Sequence, residues 1–139
     1  MTILVSFLIV MLSAAVQPVS VLQVQPIPSG ERAVLRVGED TELDGGQIRV
    51  GLESVVSDSR CPRGYRCISA GEAKVRVWVV EGTDSRRSHL VAGPTVSRYR
   101  LSRRYFLQMT SLEPYPEPGR RREQTEYRAT FLLTRALDQ

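Results

Sequence analysis

Apolar and polar residues alternate along most of the chain. "QIRVGLE" sets Ile48, Val50 and Leu52 against Arg49, Gly51 and Glu53, with Gly45 and Gly46 before it as a turn. "AKVRVWVV" sets Val75, Val77 and Val79 against Lys74, Arg76 and Trp78. "YFLQMTSL" opposes Tyr105, Leu107 and Met109 to Phe106, Gln108 and Thr110. "EYRATFLLTR" opposes Tyr127, Ala129, Phe131 and Leu133 to Arg128, Thr130 and Thr134. Two shorter runs add to these: "AVLRV", with Leu35 and Val37 on one face, and "SHLVA", which ends at Gly93 and Pro94. A period of two marks a half-buried strand. Short strands separated by Gly and Pro turns predict an all-β domain, an antiparallel β-sandwich of Ig-like, Greek-key type. The one helical expectation in the domain is a single turn around residues 69–72. The polar stretch 113–125, "EPYPEPGRRREQT", reads as a mobile connection between the last two strands.

The first residues break the pattern. "MTILVSFLIVMLSAAVQ" is apolar from Ile3 to Val16 and includes Ser13, Ala14 and Ala15, as a signal peptide cleaved after Ala15 would. An uncleaved anchor is the alternative. The run is short of the roughly 20 apolar residues a bilayer needs, and Gln17 and Pro18 interrupt it. No cysteine follows it to take a lipid. Residues 16–32, with Pro18, Pro26 and Pro28, read as an extended linker, which leaves 33–139 as the domain. The expected compartment is extracytoplasmic, periplasmic or secreted, with no stable membrane span after cleavage.

Composition narrows the chemistry. The 139 residues suffice for one domain, and the net charge is +4. Lys74 is the only lysine; every other basic residue is arginine. Arginine forks suit carboxylate and phosphate, although GC-rich coding produces the same skew. The clusters are Arg86 and Arg87, then Arg98, Arg100, Arg103 and Arg104, then residues 120–122. "SRYRLSRRYF" interleaves arginine with Tyr99 and Tyr105, as nucleic-acid surfaces do. An exported chain seldom meets nucleic acid. The expected partner is an envelope protein, an anionic envelope polymer or a lipid head group, set against the plainer reading of a solvated face.

Two cysteines in an exported chain most simply pair with each other. Cys61 and Cys67 flank "PRGYR", where Pro62 and Gly64 let the chain turn. Such a short loop yields about 2 kcal/mol in the chain-entropy account, so it shapes a loop more than it staples a domain. The spacing is not that of a redox C-x-x-C. A metal site would need two more ligands, with His89 the only histidine and Asp58 the nearest carboxylate. No metal and no cofactor is expected. His89 in "RRSHLVAG" reads as a strand-edge surface residue. G-x-S-x-G, H-E-x-x-H and Gly-rich phosphate loops are absent from the sequence. For a hydrolase there remain His89 or the carboxylates Glu53, Asp58 and Glu72. Trp78, the sole tryptophan, reads as a core plug, because large aromatics dominate small β cores.

The stretch 58–73, "DSRCPRGYRCISAGEA", resembles a family of small, uncharacterised exported bacterial proteins with a D-S-R-C-P…C…A-G-x-A motif. The matching residues are Val55, Asp58, Ser59, Arg60, Cys61, Pro62, Cys67, Ala70, Gly71 and Ala73. A weaker echo lies in "LEPYPEPG" at 112–119 and "YRATF" at 127–131. The strong part covers residues 47–80. One departure is Ser69, where the family carries a tryptophan. The resemblance implies an extracytoplasmic β domain with a disulfide and no particular reaction. Physically, Asp58 and Ser59 suit turn caps, Arg60 suits pairing with Asp58 or Glu53, and Gly71 suits a positive φ before a strand.

The expected function is therefore a non-enzymatic binding or envelope-associated module. Its candidate contacts are Arg60, Arg63, Tyr65 and Arg66 in the loop, and Arg98, Arg100, Arg103 and Arg104 on an arginine strand. Two alternatives are a substrate-like protease inhibitor presenting Arg63 or Arg66 from the Cys61–Cys67 loop, and a hydrolase using carboxylates or His89.

Overall fold

A computed structural model describes residues 30–94 and 97–136. The leader, its cleavage point and most of the linker lie outside the described residues. The first strand begins at Glu31, two residues before the expected domain start.

Eight strands follow in order: β1 (Glu31–Arg36), β2 (Asp40–Leu43), β3 (Ile48–Asp58), β4 (Ala73–Glu81), β5 (Arg87–Gly93), β6 (Tyr99–Arg100), β7 (Tyr105–Glu113) and β8 (Arg128–Arg135). They form two antiparallel four-stranded sheets, ordered β1-β8-β7-β6 and β2-β3-β4-β5. The predicted all-β antiparallel sandwich is what the chain forms. Its connectivity is simpler than a Greek key. β2 to β5 run as one meander, β6 to β8 as another, and β1 closes on β8. Even the two long connections, after β3 and after β7, return the chain to the adjacent strand.

Alternation decides which residues fill the space between the sheets. Ile48, Val50 and Leu52 of β3 and Val75, Val77 and Val79 of β4 are buried, and they meet Tyr105, Leu107, Met109, Ala129, Phe131 and Leu133 of β7 and β8. Burial of apolar area at about 25 cal/mol per Å² drives this assembly. β3 carries two bulges, between Leu52 and Ser54 and between Val55 and Ser57. The extra residues return Val55 to the core and leave Val56 half exposed.

Trp78 corrects the sequence reading. It lies on the outer face, directly opposite Gly51 of β3. A Cβ at residue 51 would stand 2.2 Å from the indole. The ring thus lies flat on bare backbone, with the Arg86 guanidinium 4.2 Å above it. The expected helical turn at 69–72 is absent; a short 3₁₀ turn occurs instead at Gln124–Glu126.

The connection 113–125 is tied down by charge, contrary to its reading as mobile. Arg120 and Arg122 reach Glu126 at 2.6 and 3.3 Å, and both pair with Glu117. Gln124 adds a further tie: its amide oxygen accepts from the Val55 N–H at 2.8 Å, and its amide nitrogen donates to the Val55 carbonyl at 3.0 Å. At the opposite end of the sandwich, Glu81 binds Arg104 at 2.8 Å, and Asp44 accepts from Tyr105 and Arg135.

Candidate functional site

β3 ends at Asp58 and β4 begins at Ala73, so the motif is the loop between two paired strands. Its base is built from turn chemistry. The Ser59 hydroxyl donates to the Glu72 carbonyl at 2.9 Å and accepts from the Glu72 N–H at 3.2 Å. Gly71 has φ +67°, and a Cβ there would lie 1.9 Å from the Ser59 carbonyl oxygen. Only glycine fits that position. The Cys61 N–H donates to Ala70, and Cys61 is bonded to Cys67 with Cα atoms 5.9 Å apart.

Arg60 does not point to a partner. Its side chain is 3% exposed and its Asp58 mate 6%. Nε and Nη2 donate to the Asp58 carboxylate at 2.8 and 2.7 Å. The same guanidinium donates to the carbonyls of Leu112 and Pro114 across the sandwich. It lies 4.2 Å from the Tyr115 ring centroid. The Tyr127 hydroxyl approaches Asp58 at 3.5 Å. Burial opposes the charge on Arg60, but the bond to Asp58 prevails and holds its pKa above the ordinary value. Burial is also the first cause that raises the Tyr127 pKa, followed by the Asp58 charge. Arg60 is thereby withdrawn from the candidate contacts; four guanidinium hydrogen bonds are spent on fixing the loop.

The weaker sequence echo now has a physical meaning. Leu112, Pro114 and Tyr115 come from "LEPYPEPG" and Tyr127 from "YRATF", and all four touch Asp58 or Arg60. The two motifs are the two sides of one contact. Tyr115, Glu113, Arg122 and Gln124 are the participants that the strand pattern alone does not reveal.

Arg63 sits on the other side of the loop. It pairs with Glu113 at 2.7 Å and lies 4.4 Å from the same Tyr115 ring, yet its side chain is 69% exposed. Between loop and connection runs an open groove of about 410 Å³. Pro62, Arg63 and Tyr65 line one wall; Pro114, Tyr115, Pro116 and Pro118 line the other. Tyr65 is 60% exposed and Ile68 fully so. Arg66 is exposed and forms no ion pair among the described residues.

The predicted arginine strand is short. Only Tyr99–Arg100 is strand. Arg98 and Arg100 lie over the Phe106 ring at 5.3 and 5.6 Å, and Arg104 is bound to Glu81. Arg103 is exposed and unpaired among the described residues. His89 meets Tyr99 edge-on at 5.6 Å, and burial lowers its pKa. Of the carboxylates offered for catalysis, Asp58 is held by Arg60 and Glu72 pairs with Lys74 at 3.1 Å, while Glu53 stands exposed. Among the described residues no group of three His, Cys, Asp or Glu side chains is placed to hold a metal.

In comparisons with known proteins, no family model, no curated protein and no solved structure matches the chain.

Proposed function

We propose that this chain is an extracytoplasmic β-sandwich binding module that holds an envelope protein in the groove between the disulfide loop and the β7–β8 connection. One observation carries the reading. The loop is fixed at its base by a buried ion pair and closed by a disulfide, yet its tip leaves Tyr65 and Ile68 uncovered. Ordering a loop before binding lowers the entropic cost of association. Tyrosine and arginine are the side chains that most often anchor an interface. The disulfide is typical of an oxidising compartment, and among the described residues no helix is long and apolar enough to cross a membrane. The test is capture from an envelope fraction by the purified protein, compared with the double variant Tyr65→Ala/Ile68→Ser. The reading expects the variant to keep its melting temperature and lose the captured band. Equal capture by both proteins overturns it.

Arg66 supports a second reading, the substrate-like inhibitor. Arg63 is engaged by Glu113 and Tyr115, whereas Arg66 is free to enter a trypsin-type pocket. Inhibition of trypsin at micromolar protein, abolished by Arg66→Ala, supports it; no inhibition by the native protein removes it.

A further inference from the structure

The outer face of the β1-β8-β7-β6 sheet carries Arg32, Arg36, Arg100 and Arg128 against Glu113, which stands opposite Arg128 in the register and is bonded to Arg63. Ala33 and Leu35 point inward, so Arg32, Val34 and Arg36 face out from β1. By the same alternation Arg128, Thr130 and Leu132 face out from β8. Arg36 and Arg128 stand directly opposite each other in the register, and like charges so placed repel. Neither guanidinium forms an ion pair among the described residues; the nearby Glu39 carboxylate is bonded to the backbone N–H of Arg36. Arg100 lies across the sheet, over Phe106.

A second observation falls on the same spot. An open hollow of about 510 Å³ is lined by Arg36 and Arg128 together with Glu113, Pro114, Thr125 and Glu126. Its two carboxylates are already engaged, Glu113 by Arg63 and Glu126 by Arg120 and Arg122. Arg36 and Arg128 are therefore the charged side chains of the hollow left without an ion-pair partner among the described residues.

We infer that this face docks a linear polymer bearing repeated phosphate groups, with one phosphate seated between Arg36 and Arg128. The chemistry selects phosphate. The two non-bridging oxygens of an internal phosphate diverge tetrahedrally, so each can accept from one of two forks that approach from different strands, whereas the two oxygens of a carboxylate share one plane and match a single fork. The geometry selects a polymer. Arg32 lies four residues from Arg36, roughly 13 Å along the strand at about 3.3 Å per residue, so phosphates several units apart on one chain reach both. A bilayer is a poorer match, since Val34 is the one large apolar side chain of this face that stands substantially exposed, and it lies flat within the sheet.

The test uses the full chain and long-chain inorganic polyphosphate as probe, at near-physiological salt. Arg36→Ala/Arg128→Ala is compared with Lys74→Ala/Arg76→Ala, which removes the same charge from the outer face of the opposite sheet. The proposal expects the first variant to bind at least tenfold more weakly with a flatter salt dependence, and the second to change less than twofold. Both variants are at exposed positions, and melting curves verify their folding. Equal weakening by the two variants, or no binding by the native protein, overturns the site. Binding of polygalacturonate or of phosphatidylglycerol vesicles as tight as that of polyphosphate overturns the choice of ligand.

Discussion

The two sheets use arginine in opposite ways on their outer faces. On the β2-β3-β4-β5 sheet most cations are matched: Arg49 pairs with Asp40 and Lys74 with Glu72, and Arg86 rests on Trp78, while Arg76 forms no ion pair among the described residues. On the β1-β8-β7-β6 sheet, Arg32, Arg36 and Arg128 share one surface and form no ion pair among the described residues, since Glu113, which stands opposite Arg128, is bonded to Arg63. The two faces have similar arginine content and different fields. A count of basic residues therefore says little about a binding surface until each residue's partner is known. Arg60 is the limiting case of matching, since it is an arginine wholly consumed by the interior.

The sharpest break of the comparison is at Arg60. Arg60→Ala leaves Asp58 buried without its partner, which costs about 3–5 kcal/mol. Arg36→Ala, at an exposed position opposite a like charge, is expected to shift stability by less than about 0.5 kcal/mol. Urea unfolding of both variants measures the contrast, and comparable losses would contradict it. Next in size is Gly51→Ala. The new methyl must displace Trp78, at about 1–3 kcal/mol of overpacking, and the fluorescence of the sole tryptophan should change with it. Smaller still are two double-mutant cycles. Arg49 with Asp40 should couple favourably by about 0.2–1 kcal/mol, and Arg36 with Arg128 unfavourably by a similar amount. Two couplings of the same sign would erase the difference between the faces.

The smallest effect is in acid. Hydrogen bonds from Tyr105 and then Arg135 hold the Asp44 carboxyl below its ordinary value of about 4. Its contribution is complete above the unfolded pKa and is lost as pH falls through the lower folded one. Asp44→Asn should therefore flatten the acid limb of a stability profile below about pH 4 and leave the neutral region parallel to the native curve.

The core was legible where alternation is dense. Ile48, Val50 and Leu52, then Val75, Val77 and Val79, announce their faces without any partner in view. β2 is invisible by the same test, because "DTEL" holds a single apolar residue, Leu43. Trp78 misleads for a specific reason. Its parity assigns it to the face of Arg76 and its size argues for the core; the space that decides between them comes from Gly51, on another strand. Asp58 is one of the two mates that the sequence offers Arg60. That the pair would be buried depends on the carbonyls of Leu112 and Pro114, more than 50 residues away in sequence. The polar connection 113–125 looked loose because its order arises from charges whose pairing only the fold reveals.

The amide of Gln124 has a consequence of its own. β2 and the turn before it cover the edge of β3 as far as Leu52, and beyond it that edge would offer bare N–H and C=O groups next to the exposed Val56. Such an edge is a template on which a second chain can add a strand. One glutamine side chain, supplying an acceptor and a donor to Val55, impersonates the missing neighbour. It is a one-residue safeguard against self-association, placed where the sheet runs out of strands.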